Sequence, residues 1–204
     1  MIIQLGEQQP SPYHVERLVT FLEDDGVIGM PTDTSYALAC LPDRKNAVNK
    51  LMGLRRLDPK KPLALVFKDI QQVSSFTMVD DQAFRLLRRY LPGPYCFILE
   101  AKREVPRYIG DKRKRIGVRI PDHSVPQALI DAVNRPLIVT SAVDPENGIT
   151  VNDPWSIESV FGHGLSAVVD AGDVNGGQST VIDLTSEEPE VVRPGLGDYQ
   201  EFTG

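Results

Sequence analysis

The run Leu63-Ala64-Leu65-Val66-Phe67 restricts the fold more than any other feature of the chain. Five consecutive apolar residues, without the polar alternation of a half-exposed strand, belong in a sheet covered on both faces. Leu137-Ile138-Val139-Thr140-Ser141 is a second apolar run and ends in hydroxyls. Shorter strands are expected over 27–30, 36–41, 95–101, 116–120, 180–184 and 191–193, set off by Pro31, Pro121 and the turn Pro92-Gly93-Pro94. Helices are expected over 12–25, 43–53, 80–91 and 125–133. In the first, Val15, Leu18, Val19 and Leu22 recur at helical spacing behind Ser11 and Pro12, and Gly26 ends it. Strands and helices alternate irregularly, without the strict repeat of a doubly wound or barrel fold. The expectation is one α/β domain over residues 1–204, built on a twisted, mixed, open sheet. A chain of 204 residues buries about 70% of its unfolded surface, enough for a core without metal or disulfide staples.

Composition then removes several classes. With 41% apolar and 25% charged residues, and Gly and Pro spread along the chain, it is neither fibrous nor disordered. Cys40 and Cys96 sit in apolar surroundings and read as small buried hydrophobes of a reducing compartment. Residues 1–14 lack a signal-peptide pattern and no apolar run approaches the ~20 residues a bilayer needs, so the expected address is cytoplasmic. The net charge of −6 hides an asymmetry: residues 44–119 hold most of the 22 Lys and Arg but few of the 28 acids. Lys112-Arg113-Lys114-Arg115 is a continuous basic run within that window. Such segregation points to a phosphate-bearing partner, the alternative being solvated faces paired with acids from elsewhere in the chain.

Polar clusters fall at strand ends, where an open sheet holds its ligand: Thr32-Asp33-Thr34, Arg55-Arg56, Arg119, Ser141, and Gly176-Gly177-Gln178-Ser179-Thr180. Forked arginine donors, hydroxyls and glycines that admit backbone N–H groups together describe an anion site. There is no G-x-x-x-x-G-K-[ST] phosphate loop, no G-x-G-x-x-G and no G-x-S-x-G. His14, His123 and His163 lack metal-ligand spacing, so no metal site is expected.

Met30-Pro31-Thr32-Asp33-Thr34-Ser35-Tyr36-Ala37-Leu38 resembles the P-T-[DE]-T-x-Y-G-L signature of the YrdC-like threonylcarbamoyl-AMP synthases. Further matches follow in order: Pro92-Gly93-Pro94, the stretch from Val118 to His123 (V-R-x-P-x-H), Thr140-Ser141-Ala142, Ser179-Thr180-Val181-Ile182-Asp183, and Arg193 to Gly195. The likeness covers about residues 12 to 198. Departures are also specific. Leu54-Arg55-Arg56 stands where the synthases have K-x-R, and the stretch is longer before Lys61-Pro62-Leu63. Phe67 replaces a His, and Ser141-Ala142-Val143 lacks the Asn of S-x-N. With Arg193-Pro194-Gly195-Leu196-Gly197-Asp198, this pattern resembles the YciO branch of the family.

The resemblance implies a concave basic cavity and a nucleotidyltransferase reaction in which ATP, L-threonine and bicarbonate give threonylcarbamoyl-AMP and pyrophosphate, for threonylcarbamoyladenosine formation in tRNA. Magnesium would arrive with ATP, and no tightly bound cofactor is implied. Carried over by position, Thr32, Thr34, Arg119 and Ser179 would bind threonine, while Arg115, Ser141 and Arg193 would face the nucleotide. Arg55 and Arg56 would supply catalytic charge at the phosphates. The alternative is a protein that holds double-stranded RNA or tRNA without turnover, using Lys112, Arg113 and Lys114. Carbamoyl or acyl transfer to a different acceptor would use the same anion site.

Overall fold

A computed structural model describes residues 1–5, 10–58, 63–174 and 176–203. The Lys61-Pro62 part of the lengthened stretch lies outside the described residues. Ten strands form one mixed sheet in the order β1-β8-β2-β3-β7-β4-β6-β5-β9-β10. They are β1 (Ile2–Gln4), β2 (Ile28–Pro31), β3 (Tyr36–Cys40), β4 (Ala64–Val66), β5 (Tyr95–Glu100), β6 (Arg115–Arg119), β7 (Leu137–Ser141), β8 (Ala167–Asp170), β9 (Thr180–Asp183) and β10 (Glu190–Arg193). β4 lies mid-sheet, antiparallel to β7 and parallel to β6, as its unbroken apolar run requires.

Among the described residues six helices accompany the sheet: α1 (Pro12–Glu23), α2 (Lys45–Leu54), α3 (Ile70–Phe76), α4 (Asp81–Tyr90), α5 (Ser124–Val133) and α6 (Pro154–Phe161). Their starts have local causes. Asp80 accepts the Ala83 N–H at 2.7 Å, Asp153 accepts the Ser156 N–H at 2.8 Å, and Pro12 and Pro154 occupy first-turn positions where no N–H is needed. α1 stops because Asp25 turns left-handed, at φ 54°, and a Cβ on Gly26 would stand 2.2 Å from the Phe21 carbonyl oxygen. Four elements, β1, β8, α3 and α6, were not expected from sequence.

The helices divide unequally between the two faces. On one face α2, α3, α4 and α6 bring Leu51, Val73, Leu87 and Phe161 onto a core that runs the width of the sheet, from Val168 of β8 to Ile182 of β9. On the other face α1 and α5 bring Leu18, Leu22, Leu129 and Ile130 onto β1, β8, β2, β3, β7 and the Val66 end of β4. Val66 of β4 is thus covered on both faces, whereas the Ala64 end of β4 and strands β6, β5 and β9 lie beyond these two helices on this side and form a concave face. Both cysteines are free and buried, as expected.

Candidate functional site

The uncovered face forms a cavity of about 360 Å³. Strand pairing explains its floor. Ala64, Gly117 and Ile98 share one register row, flanked by Val139 of β7. Two residues further along, Cys96 pairs with Val181, and Arg119 closes β6. Small side chains at three of these positions make the space. A Cβ on Gly117 would meet Cys96 Sγ at 2.8 Å and Ala64 Cβ at 3.2 Å, so this glycine within a strand marks the deepest point of the floor.

Arg119 is buried, its side chain 6% exposed, and its Nη2 donates to Asp33 Oδ1 at 2.8 Å and Thr34 Oγ1 at 3.1 Å. The partner turn between β2 and β3 is itself tied by Thr32. Its hydroxyl donates to the Ser35 carbonyl at 2.7 Å and accepts the Thr34 and Ser35 N–H groups, both at 3.2 Å. Thr32 thus shapes the turn, and Thr34 and Asp33 carry its reach to Arg119. Gly177 N–H donates to the Thr34 carbonyl at 2.9 Å, which brings the loop before β9 to the same turn.

Arg193 enters from the edge of the sheet. Its Nη2 donates to the Ser179 carbonyl at 2.8 Å, with Ser179 Oγ at 3.4 Å. The approach depends on Gly195, where a Cβ would stand 2.3 Å from the Gln178 carbonyl oxygen. Thr180 Oγ1 fastens the same segment by donating to the Gly197 carbonyl at 2.6 Å. Burial lowers the Arg193 pKa, the Cys96 sulfur opposes this, and the nearby Arg119 adds to it. Burial also pushes the Cys96 thiol up although both arginines pull it down, so it remains an un-ionised part of the floor.

Three buried polar atoms at this centre have no hydrogen-bond partner: Arg119 Nε, Arg193 Nε and Asp33 Oδ2. Leaving buried donors unmatched costs about 1–3 kcal/mol each, more for charged groups. No carboxylate is among the described residues that line the cavity. The arrangement is therefore two guanidiniums with unused donors over an apolar floor, donors of the kind that can pair with a small carboxylate or phosphate.

Arg119, Ser141, Ser179 and Arg193, expected at the site, all line the cavity. Arg55 stands behind its wall: Nε donates to the Ser141 carbonyl at 2.7 Å and Nη1 to the Val143 carbonyl, and burial lowers its pKa, with Asp144 opposing. The other residues lie elsewhere. Arg56, in left-handed backbone at φ 47°, points away and pairs with Glu146 on the surface. Arg115 is clasped by Asp111 at 2.8 Å and Asp183 at 3.0 Å, which raises its pKa, first through the Asp111 hydrogen bond. Lys112, Arg113 and Lys114 form an exposed turn before β6. Sequence reasoning missed Asp33 as the partner of Arg119, and the floor residues Cys96 and Gly117. A glycine between Ile116 and Val118 was the available signal for the floor.

The family described as Sua5/YciO/YrdC, telomere recombination, matches residues 20–195. The chain belongs to this family. The YciO protein of Escherichia coli K12 is 36% identical over 194 residues, covering 95% of this chain and 94% of its own. Its crystal structure superposes with a TM-score of 0.95 over 99% of this chain and 98% of that one, at 34% identity. A threonylcarbamoyl-AMP synthase of Pyrococcus abyssi is a more distant relative, 28% identical over 86% of this chain and 52% of the synthase. The structure of P. abyssi Sua5 complexed with L-threonine has a TM-score of 0.91 at 25% identity, covering 98% of this chain and 59% of that one. The expected fold is thus the fold of YciO and Sua5. No helix among the described residues is long and apolar enough to cross a membrane.

Proposed function

We propose that the cavity binds L-threonine and ATP and catalyses formation of threonylcarbamoyl-AMP. The observation that carries this reading is the pair of buried, unmatched Nε donors on Arg119 and Arg193. Arg119, anchored by Asp33 and Thr34, takes the threonine carboxylate. Arg193, carried on Ser179, faces the α-phosphate, and Ser141 lines the opposite wall. In the reaction the threonine amine attacks the carbon of bicarbonate with loss of water. A carbamate oxygen then attacks the α-phosphorus of ATP, and pyrophosphate leaves with the electron pair of the broken P–O bond. Such chemistry needs orientation and positive charge rather than a protein nucleophile. Magnesium arriving with ATP would be held mainly by phosphate oxygens and water, since none of the described residues lining the cavity carries a carboxylate. Arg55 braces the Ser141 wall from behind and serves catalysis by positioning. ATP-dependent chemistry and buried, free thiols fit a cytoplasmic protein.

The test is pyrophosphate release from ATP and bicarbonate with and without L-threonine. Threonine-dependent release that disappears in Arg119→Ala is expected; release independent of threonine, or none, would overturn the reading. A second reading, RNA or tRNA held on the basic surface without turnover, is favoured by one observation. Lys112, Arg113 and Lys114 are exposed, and none of their side chains forms an ion pair among the described residues. RNA affinity would then fall steeply with salt, and neutralising the three residues together would flatten the slope.

A further inference from the structure

A second concavity, of about 670 Å³, lies on the outer side of α2, against the loop 105–110. Met52 and Leu57 give it an apolar base, Asn49 an amide, Arg56 and Arg107 two guanidiniums, and Tyr108 an aromatic ring. The ring is fixed, because Tyr108 Oη donates to the Pro42 carbonyl at 2.6 Å, yet the residue remains 40% exposed. Arg107 is exposed and makes no hydrogen bond or ion pair among the described residues. Among the described residues the Arg56 guanidinium pairs with the exposed Glu146, a pair that solvent weakens and an incoming phosphate can replace. Leu57 also lines the threonine cavity, so the two concavities are neighbours.

A fixed aromatic ring, planar cations, a base-reading amide and an apolar floor are the elements that receive an unstacked nucleobase and its phosphate. The surroundings select the class of ligand. Arg103, Lys112, Arg113 and Lys114, which precede and follow the loop in sequence, are exposed, so a polyanion longer than one nucleotide meets further positive charge beyond the shelf. We propose that this shelf holds one unpaired nucleotide of an RNA strand, the base against Tyr108 and its phosphate between Arg56 and Arg107. The inference rests on the RNA-holding reading of the basic surface and names its base-binding point. Duplex RNA can use the basic turn but cannot enter the shelf, because its bases are stacked.

The experiment measures binding of a fluorescent hairpin RNA with an unpaired loop, a blunt duplex of the same length, and AMP, by anisotropy or, for AMP, calorimetry. For the hairpin, Tyr108→Leu and Arg107→Ala are each expected to weaken binding about tenfold, and Tyr108→Phe, which keeps the ring but loses its tether to Pro42, about twofold. For the duplex the same changes should cost about threefold or less. Arg107→Lys should recover only part of the loss, since an ammonium keeps the charge but not the forked pair of donors for a phosphate. Equal losses for hairpin and duplex, or none in the hairpin, would overturn the proposal. So would AMP binding as tightly as the hairpin, because the shelf would then be a mononucleotide site. Threonine titrated into the wild-type protein separates this from the cavity reading: no threonine binding, with shelf-dependent RNA binding intact, would remove the cavity reading alone.

Discussion

Over β2, β3 and β7 the sheet presents Ile28, Met30, Ala37, Ala39 and Leu137 to helices α1 and α5, whereas over β4, β6, β5 and β9 the same face presents Ala64, Gly117, Cys96 and Arg119 to a cavity. The sheet is continuous across the two halves, and what changes is what lies above it. In the covered half, apolar area removed from water stabilises by about 25 cal/mol per Å². In the open half, small side chains give up that gain and two guanidiniums are buried without full pairing. The difference teaches that the helices of one half hold the sheet steady while the other half keeps the space and charge for a ligand.

Removing Arg119 is the largest test of that division. Arg119→Ala leaves Asp33 buried without its partner, and urea unfolding should show a loss of about 3–5 kcal/mol, together with loss of threonine binding. A loss under ~1 kcal/mol would mean that the open half carries no such internal pairing. In the covered half Leu129, wholly buried beneath α1, should cost about 2–5 kcal/mol on change to Ala. Calorimetric threonine binding by that variant, below its melting temperature, should survive; its disappearance would join what the comparison separates.

Gly117→Val tests the floor. Its side chain would collide with Cys96 and Ala64, so a destabilisation of about 1–3 kcal/mol is expected, with ligand binding lost to filled space. Unimpaired binding would place the ligand elsewhere. The smallest effect belongs to Asp153, which caps α6. Hydrogen bonds from Ser156 lower its pKa. A depressed carboxyl contributes stability above its unfolded pKa, about 3.9, and the contribution is lost as pH falls through the lower folded value. Asp153→Ala should cost about 1 kcal/mol at pH 7 and progressively less in acid, as followed by urea melts at pH 7 and pH 3. A cost that stays constant with pH would show that the charge of Asp153 contributes nothing.

Much of the fold was legible in sequence because it rests on local patterns. Leu137–Ser141 was read to the residue, and α4 and α5 within one residue at either end. The four missed elements are short or depend on distant partners. β1 has three residues and β8 four, and the two pair with each other across the chain. α3, with its Gln and Ser residues, shows little periodicity over seven positions. α6 did carry a readable start, Asp153 followed by Pro154, with Ile157 and Phe161 at helical spacing.

The site was legible as a set of strand ends but not as a geometry. Arg119, Ser141, Ser179 and Arg193 were named from motifs, and strand order brought them together. Arg55 and Arg56, adjacent in sequence, diverge because α2 ends at Leu54, Arg55 caps it in near-helical backbone and Arg56 turns left-handed. Arg115 was expected near the nucleotide, whereas Asp111 and Asp183, the second of them distant in sequence, engage it. Contacts of that separation have no local signature.

The most direct measurement is a calorimetric titration of L-threonine into the wild-type protein and into Arg119→Lys, which keeps the charge but not the forked donor. We expect saturable binding at one site in the wild type and at least about tenfold weaker binding in the variant, with unchanged circular dichroism. No binding by the wild type, or equal affinity in the natively folded variant, would contradict an anion site built on Arg119.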